Sequence, residues 1–254
     1  MDFGVSSVLR RWPLVLAVGL PACTADTRVP PFARVPFQPF SHEAVVAIAL
    51  REWRAFGSPV ATEEQPRKPE RVEGLWQRVG EYWWLGLDPA DSATGWTGKH
   101  DASGRVFPPE ADEAFAWSAA FVSYTMRMAG AGTGFAYAAG HDRYIHAAMR
   151  GDPGSVVVAE RPEAYAPRPG DLICAGRGDS AGLRFDDIPR TPLFKAHCDI
   201  VVRLGDPEGL AAVGGNVADA VTLRHFPVTV EGRLSDDGCL AVLRLRDTPI
   251  ASTR

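Results

Sequence analysis

Cysteine is scarce in this 254-residue chain, with four residues at positions 23, 174, 198 and 239, and their spacing fits no zinc motif. The six histidines show no His-Glu-x-x-His pattern either, so neither a metal nor a cofactor is expected. An excess of charge of one sign is also missing: 27 Lys and Arg against 31 Asp and Glu give a net charge of -4. No basic patch suits a nucleic acid. No glycine-rich phosphate loop stands out, since Gly176-Arg177-Gly178 precedes no strong helix. After residue 23 no apolar run is long enough to cross a bilayer. What is present is the composition of an ordinary globular protein, with 46% hydrophobic residues.

The N-terminus reads as an export signal, residues 1–22. Arg10-Arg11 supply a short positive region, and the apolar stretch from Trp12 to Leu20 is too short to span a membrane. Leu20-Pro21-Ala22-Cys23 then resembles a bacterial lipobox, which implies lipidation of Cys23; an ordinary secretory signal with an incidental cysteine is the alternative. Thr24 is not the aspartate that retains lipoproteins at the inner membrane, so the resemblance implies a periplasmic protein anchored to the outer membrane. Residues 23–40, with Pro30, Pro31, Pro36 and Pro39, read as an extended tether.

About 230 residues remain, enough for one sizeable domain. Residues 41–110 form an N-terminal helical region: Ser41 caps a helix through about Phe56, and Leu75, Val79, Tyr82 and Trp83 recur at helical spacing between Glu70 and Leu85 as core packing. Asp88 to Pro109 is a loop whose Trp96 is a candidate for a saccharide or peptide groove, or for anchoring the loop. Residues 111–254 hold a central helix from about Ala114 to Ala129, stopped by Gly130 and Gly132, followed by strands at 155–159, 171–175, 197–204, 210–214, 221–230 and 239–245. Helices first and strands afterwards predict an α+β domain, a central helix packed on an antiparallel sheet. A Cys174 to Cys198 bridge across neighbouring strands is open to such a sheet, with buried free thiols the commoner fate of such residues. The run Arg177 to Lys195 reads as a long loop able to shape access to a site.

The chemistry-bearing residues come in three segments. Trp117-Ser118-Ala119-Ala120-Phe121-Val122 puts a hydroxyl at the first turn of an apolar helix, His197 begins an alternating strand, and Asn216 follows Gly214-Gly215. Period two puts His197 and Asp199 on one strand face and Cys198 on the other. A serine is not ionised by a helix end and needs a base, for which His197 is the candidate, with Asn216 as orienter and Asp199 as runner-up. Structural readings of each remain open: a helix-start serine, a hydrogen-bonding strand histidine, a turn asparagine.

From about Glu81 to Ala251 these motifs, with Arg168-Pro169-Gly170-Asp171-Leu172-Ile173, resemble a bacterial domain-of-unknown-function family, number 2272, and through it the NlpC and CHAP cell-wall hydrolases. CHAP domains carry Trp-Cys-Ala-Ala-Phe-Val where this chain has Ser118. The resemblance implies a papain-like fold and catalytic positions at Ser118, His197 and Asn216, with Trp117 and His141 as substrate-contacting residues beside the loop Trp96; His141 is also an alternative base, or a helix-capping or surface histidine. It implies an amidase or endopeptidase acting on peptidoglycan stem peptides. Serine in a cysteine-shaped site leaves two alternatives, a binder of wall peptide or glycan that does not cut, and an acyl or glutamyl transferase.

Overall fold

The computed structural model describes residues 1, 40–61, 68–206, 209–235 and 238–246. The signal peptide, Cys23 and the tether lie outside the described residues, apart from the terminal Met1 and Phe40. Residues from Gln38 onward form a compact unit.

Four helices are described: α1 (His42–Ala55), α2 (Leu75–Gly86), α3 (Ser118–Met128) and α4 (His141–Arg150). Ser41 caps α1 as expected, its hydroxyl accepting from the Ala44 N–H at 3.1 Å. α2 starts later than its apolar spacing predicts, because Pro69–Arg71 form a separate 3-10 turn. Its Val79, Tyr82 and Trp83 are buried in the core. α4 is absent from the sequence reading, which places no helix between Gly130 and the first strand at 155–159. Its buried stripe of His141, Tyr144, Ile145 and Ala148 has helical spacing, but two of its four members are polar or aromatic.

The strands are β1 (Val157–Glu160), β2 (Leu172–Gly176), β3 (Ala196–Asp206), β4 (Gly209–Val217), β5 (Ala220–Phe226) and β6 (Cys239–Leu245). They form one antiparallel sheet in the order β1-β6-β2-β3-β4-β5, so the expected meander holds for β3-β4-β5 while β6 inserts between β1 and β2. Side chains alternate across it. Leu172, Cys174, Cys198, Ile200 and Val213 join the large core shared with α1 to α4, whereas Ile173, Val201, Leu210, Ala212 and Val242 form a smaller cluster. Residues of 41–110 and of 111–254 thus meet in one core.

Cys174 and Cys198 lie directly opposite each other on β2 and β3, with Cα atoms 4.1 Å apart, and form a disulfide. The commoner fate, two free thiols, gives way because the register brings the two Cβ atoms face to face. Cys239 is free.

Candidate functional site

α3 starts without a side-chain cap: its N-cap residue is Trp117, and Ser118 is the first helical residue. The N–H groups of a first helical turn have no intrahelical partners, and partial positive charge collects there. A hydroxyl at this point sits beside donors able to hold a developing oxyanion. Ser118 is 9% exposed, and its Oγ lies 2.6 Å from His141 Nε2.

His141 opens α4, and the other ring nitrogen, Nδ1, is hydrogen-bonded to the Tyr144 hydroxyl three residues on. Residues three apart share a helix face, so α4 itself holds the imidazole at the angle that meets Ser118. Burial keeps the His141 pKa well below the ordinary histidine value, and the charge of His197 adds to this. The ring is neutral at neutral pH. Tyr144 is held well above the usual phenol value, first by burial and then by Asp142 and Asp199, and stays protonated.

A second histidine stands behind the first. The His141 and His197 rings are 5.6 Å apart between centroids. His197 Nε2 is 3.3 Å from Asp199 Oδ1, two residues on along the same face of β3. Arg224 on β5 closes the group, its Nε donating to Asp199 Oδ1 at 3.3 Å and its Nη2 to Oδ2. Burial alone would raise the Asp199 pKa, but His197 and Arg224 outweigh it and hold the carboxyl well below its usual value. The strand beside this group has no room for side chains. A Cβ on Gly214 would come 2.1 Å from Asp199 Oδ1 and 2.9 Å from His197 Nε2, and one on Gly215 would fall 2.5 Å from Phe121 Cβ of α3. The glycine pair that reads as a turn in sequence therefore lets β4 pass between α3 and the His197–Asp199 pair.

The hydrogen bond of Ser118 goes to His141, not to His197. Asn216 makes no side-chain hydrogen bond among the described residues. It sits at φ 56° where the β4–β5 register breaks, so it takes part in the turn, and Asp199 is the partner of His197. Trp117 and Trp96, expected against substrate, are placed in packing. Trp117 is 1% exposed and stacks on Phe56, and Trp96 meets Trp83 and Phe115 edge-on at 5.2 and 4.7 Å. Sequence reasoning missed Tyr144 and Arg224. The spacing His141-x-x-Tyr144 offered a signal for the first; Arg224 reaches Asp199 across the sheet and has none.

Beside Asp199 and Arg224 lies a cavity of ≈ 100 Å³ also lined by Arg177, Ile173, Phe226 and Leu234. Arg177 starts the connection expected to shape access, whose far end it holds through its N–H to the Lys195 carbonyl at 2.9 Å. Among the described residues, no three His, Cys, Asp or Glu side chains converge in a set that could hold a metal ion.

The chain belongs to domain-of-unknown-function family 2272, described as uncharacterized proteins conserved in bacteria, whose model matches residues 70–248. No curated protein and no solved structure matches it.

Proposed function

We propose that this protein is a serine-dependent amide hydrolase of the bacterial cell envelope, a papain-like domain of the NlpC and CHAP kind, acting on peptidoglycan stem peptides. The observation that carries the catalytic part is the contact of 2.6 Å between Ser118 Oγ and the Nε2 of a buried, neutral His141. In this reading Ser118 attacks the amide carbonyl as His141 takes its proton, the first-turn N–H groups of α3 hold the oxyanion, and His141 returns the proton to the leaving amine. Water then hydrolyses the acyl-enzyme by the same route. His197, paired with Asp199, does not touch the serine; its charge favours the neutral form of His141. The envelope location draws support from the lipobox-like start and from the Cys174–Cys198 disulfide, a bond that persists in oxidising compartments such as the periplasm. Attachment to the outer membrane through Cys23 is part of the same proposal.

A second reading, a groove that binds a wall peptide without cutting it, is favoured by Tyr144. Its buried hydroxyl has His141 Nδ1 as its one hydrogen-bond partner among the described residues, and a buried phenol that donates there places the imidazole proton on Nε2. Nε2–H would then donate to Ser118 rather than take its proton. Hydrolysis needs the opposite tautomer, which leaves the phenol O–H unpaired at a cost of about 1–3 kcal/mol, an amount that substrate binding can offset.

Digestion of purified peptidoglycan by the full chain, with fragments identified by mass spectrometry, tests both. Cleavage by wild type, abolished in Ser118→Ala and His141→Ala, supports the hydrolase. Binding without cleavage in wild type, with Nε2 protonated by nitrogen-15 NMR, overturns it in favour of the binder. Appearance of adducts only when an amine acceptor is added would identify a transferase.

A further inference from the structure

Next to the serine lies a buried group that the proposed reaction does not use. Glu70, 3% exposed, belongs to the 3-10 turn Pro69–Arg71, and its Oε2 accepts the indole N–H of Trp117 at 2.5 Å. Trp117 is the residue immediately before Ser118, and its ring is fixed between Phe56 and Tyr82, with centroids 5.9 and 5.7 Å away. Glu70 also faces Asp112 of the 3-10 turn Pro109–Phe115, close enough for the two carboxyls to share a proton. Asp112 is ion-paired to Lys68 at 2.5 Å and to Arg71 at 2.7 Å. From the β4–β5 turn, Asp219 accepts the Glu70 backbone N–H at 3.1 Å through its carbonyl and lies 3.9 Å from Lys68 through its carboxylate.

We infer that Glu70 is a positioning residue for Ser118: it bridges the Trp117 indole to Asp112 and thereby fixes the start of α3, where the serine meets His141. The inference rests on the reading of Ser118 as a nucleophile. Glu70 accepts from the indole through Oε2, and a hydrogen bond between its side chain and the ion-paired Asp112 needs a proton on one of the two carboxyls. Burial, opposed by the indole bond and reinforced by Asp219 and Asp112, pushes the Glu70 pKa up to about 8. Above that value two carboxylates would face each other with Asp219 close by, and Lys68 and Arg71 are already engaged by Asp112. Loss of the Glu70 proton therefore breaks the bridge on the Asp112 side, so that Glu70, still accepting from the indole, no longer anchors Trp117 to Asp112.

Glutamine reproduces the protonated acid, with a carbonyl for the indole and an NH₂ for Asp112, so Glu70→Gln separates positioning from mere packing. The measurement is the rate at which a serine-directed fluorophosphonate labels the full chain between about pH 6 and 10, beside the Trp117 indole and His141 ring resonances over the same range. In wild type the labelling is flat to about pH 8 and then falls, and the Trp117 and His141 resonances shift with that midpoint. Glu70→Gln labels at the wild-type rate at pH 7, with no alkaline fall and no shift, while Glu70→Ala loses on the order of tenfold to hundredfold through misplacement. An alkaline shift that survives in Glu70→Gln, or wild-type resonances that do not move, overturns the inference. If wild type is never labelled, the nucleophile reading fails, and the resonances still decide whether Glu70 controls the Ser118–His141 contact.

Discussion

Asp199→Asn preserves shape and removes one charge, and the structure says what that charge is doing. Asp199 is 2% exposed, and it is the partner of both His197 and Arg224. In the variant Arg224, with its side chain 26% exposed, keeps its positive charge beside a buried amide. Removing one member of a buried ion pair costs about 3–5 kcal/mol, and the partial exposure of Arg224 argues for the lower end, about 3 kcal/mol. For a domain of this size that corresponds to a fall in Tm of roughly 6–12 °C. Urea unfolding of the oxidised full chain at pH 7 measures it, with the double variant Asp199→Asn, Arg224→Met expected to recover part of the loss. The pH dependence has a fixed sign. The Asp199 pKa is depressed in the folded state, so its stabilisation is present above the unfolded value of about 3.9 and is lost as the pH falls toward the lower folded value. The gap between wild type and variant should therefore close below about pH 4. A variant within about 0.5 kcal/mol of wild type at pH 7 would refute the reasoning.

Ser118→Ala and His141→Ala should each abolish wall cleavage, whereas His197→Ala should leave a measurable rate, because among the described residues the Ser118 hydroxyl is hydrogen-bonded to His141 and not to His197; equal loss in His141→Ala and His197→Ala would contradict this. Since His141 is held well below the usual histidine pKa, cleavage should persist at about pH 5.5, where an ordinary histidine is mostly protonated; a rate that halves near pH 6.5 would exclude His141 as the base. Replacing Cys174 and Cys198 by alanine opens a bridge of sequence separation 24 and should cost about 3 kcal/mol in urea unfolding; no change on adding reductant to wild type would argue against the bond. Gly214→Ala forces a methyl group onto Asp199 and His197 and should cost about 1–3 kcal/mol, with the His197 resonance displaced; an unmoved resonance would mean that β4 yields instead.

The sequence made legible those features that depend on period and on local turn chemistry. The Ser41 cap, the buried stripe of α2, the helix carrying Ser118 and the antiparallel strands all follow from residues within a few positions of one another. The pairing of His197 with Asp199 was also legible, because period two puts both on one face of β3. What stayed hidden depends on contacts between distant segments. His141 is 23 residues from Ser118, in a helix whose inward face is too polar to read as apolar, so His197 on a clear strand looked the better base. Arg224 and Glu70 act on partners distant in sequence, Asp199 and Trp117, and nothing in their immediate sequence marks them. Asn216 fits a pattern of catalytic third residues, yet its φ of 56° serves the turn into β5, while the glycines before it give β4 room beside Asp199 and Phe121.

The two histidines divide the electrostatic work in a way that neither could manage alone. His197, 5% exposed, has the Asp199 carboxylate beside it. A positive charge on buried His141 is disfavoured first by desolvation and then by the neighbouring His197. The imidazole next to the serine is thereby kept neutral, the only form that can take a proton. The same arrangement limits the imidazolium that must form during attack, so an effective catalyst here needs the negative charge on the tetrahedral oxyanion close enough to compensate it. In the proposed reaction the first-turn amides of α3 would hold that charge beside Ser118 and hence beside His141. Moving the serine by one residue along α3 would separate the two charges and lose that compensation, which is why the control that Glu70 exerts on Trp117 bears on the chemistry as well as on the fold.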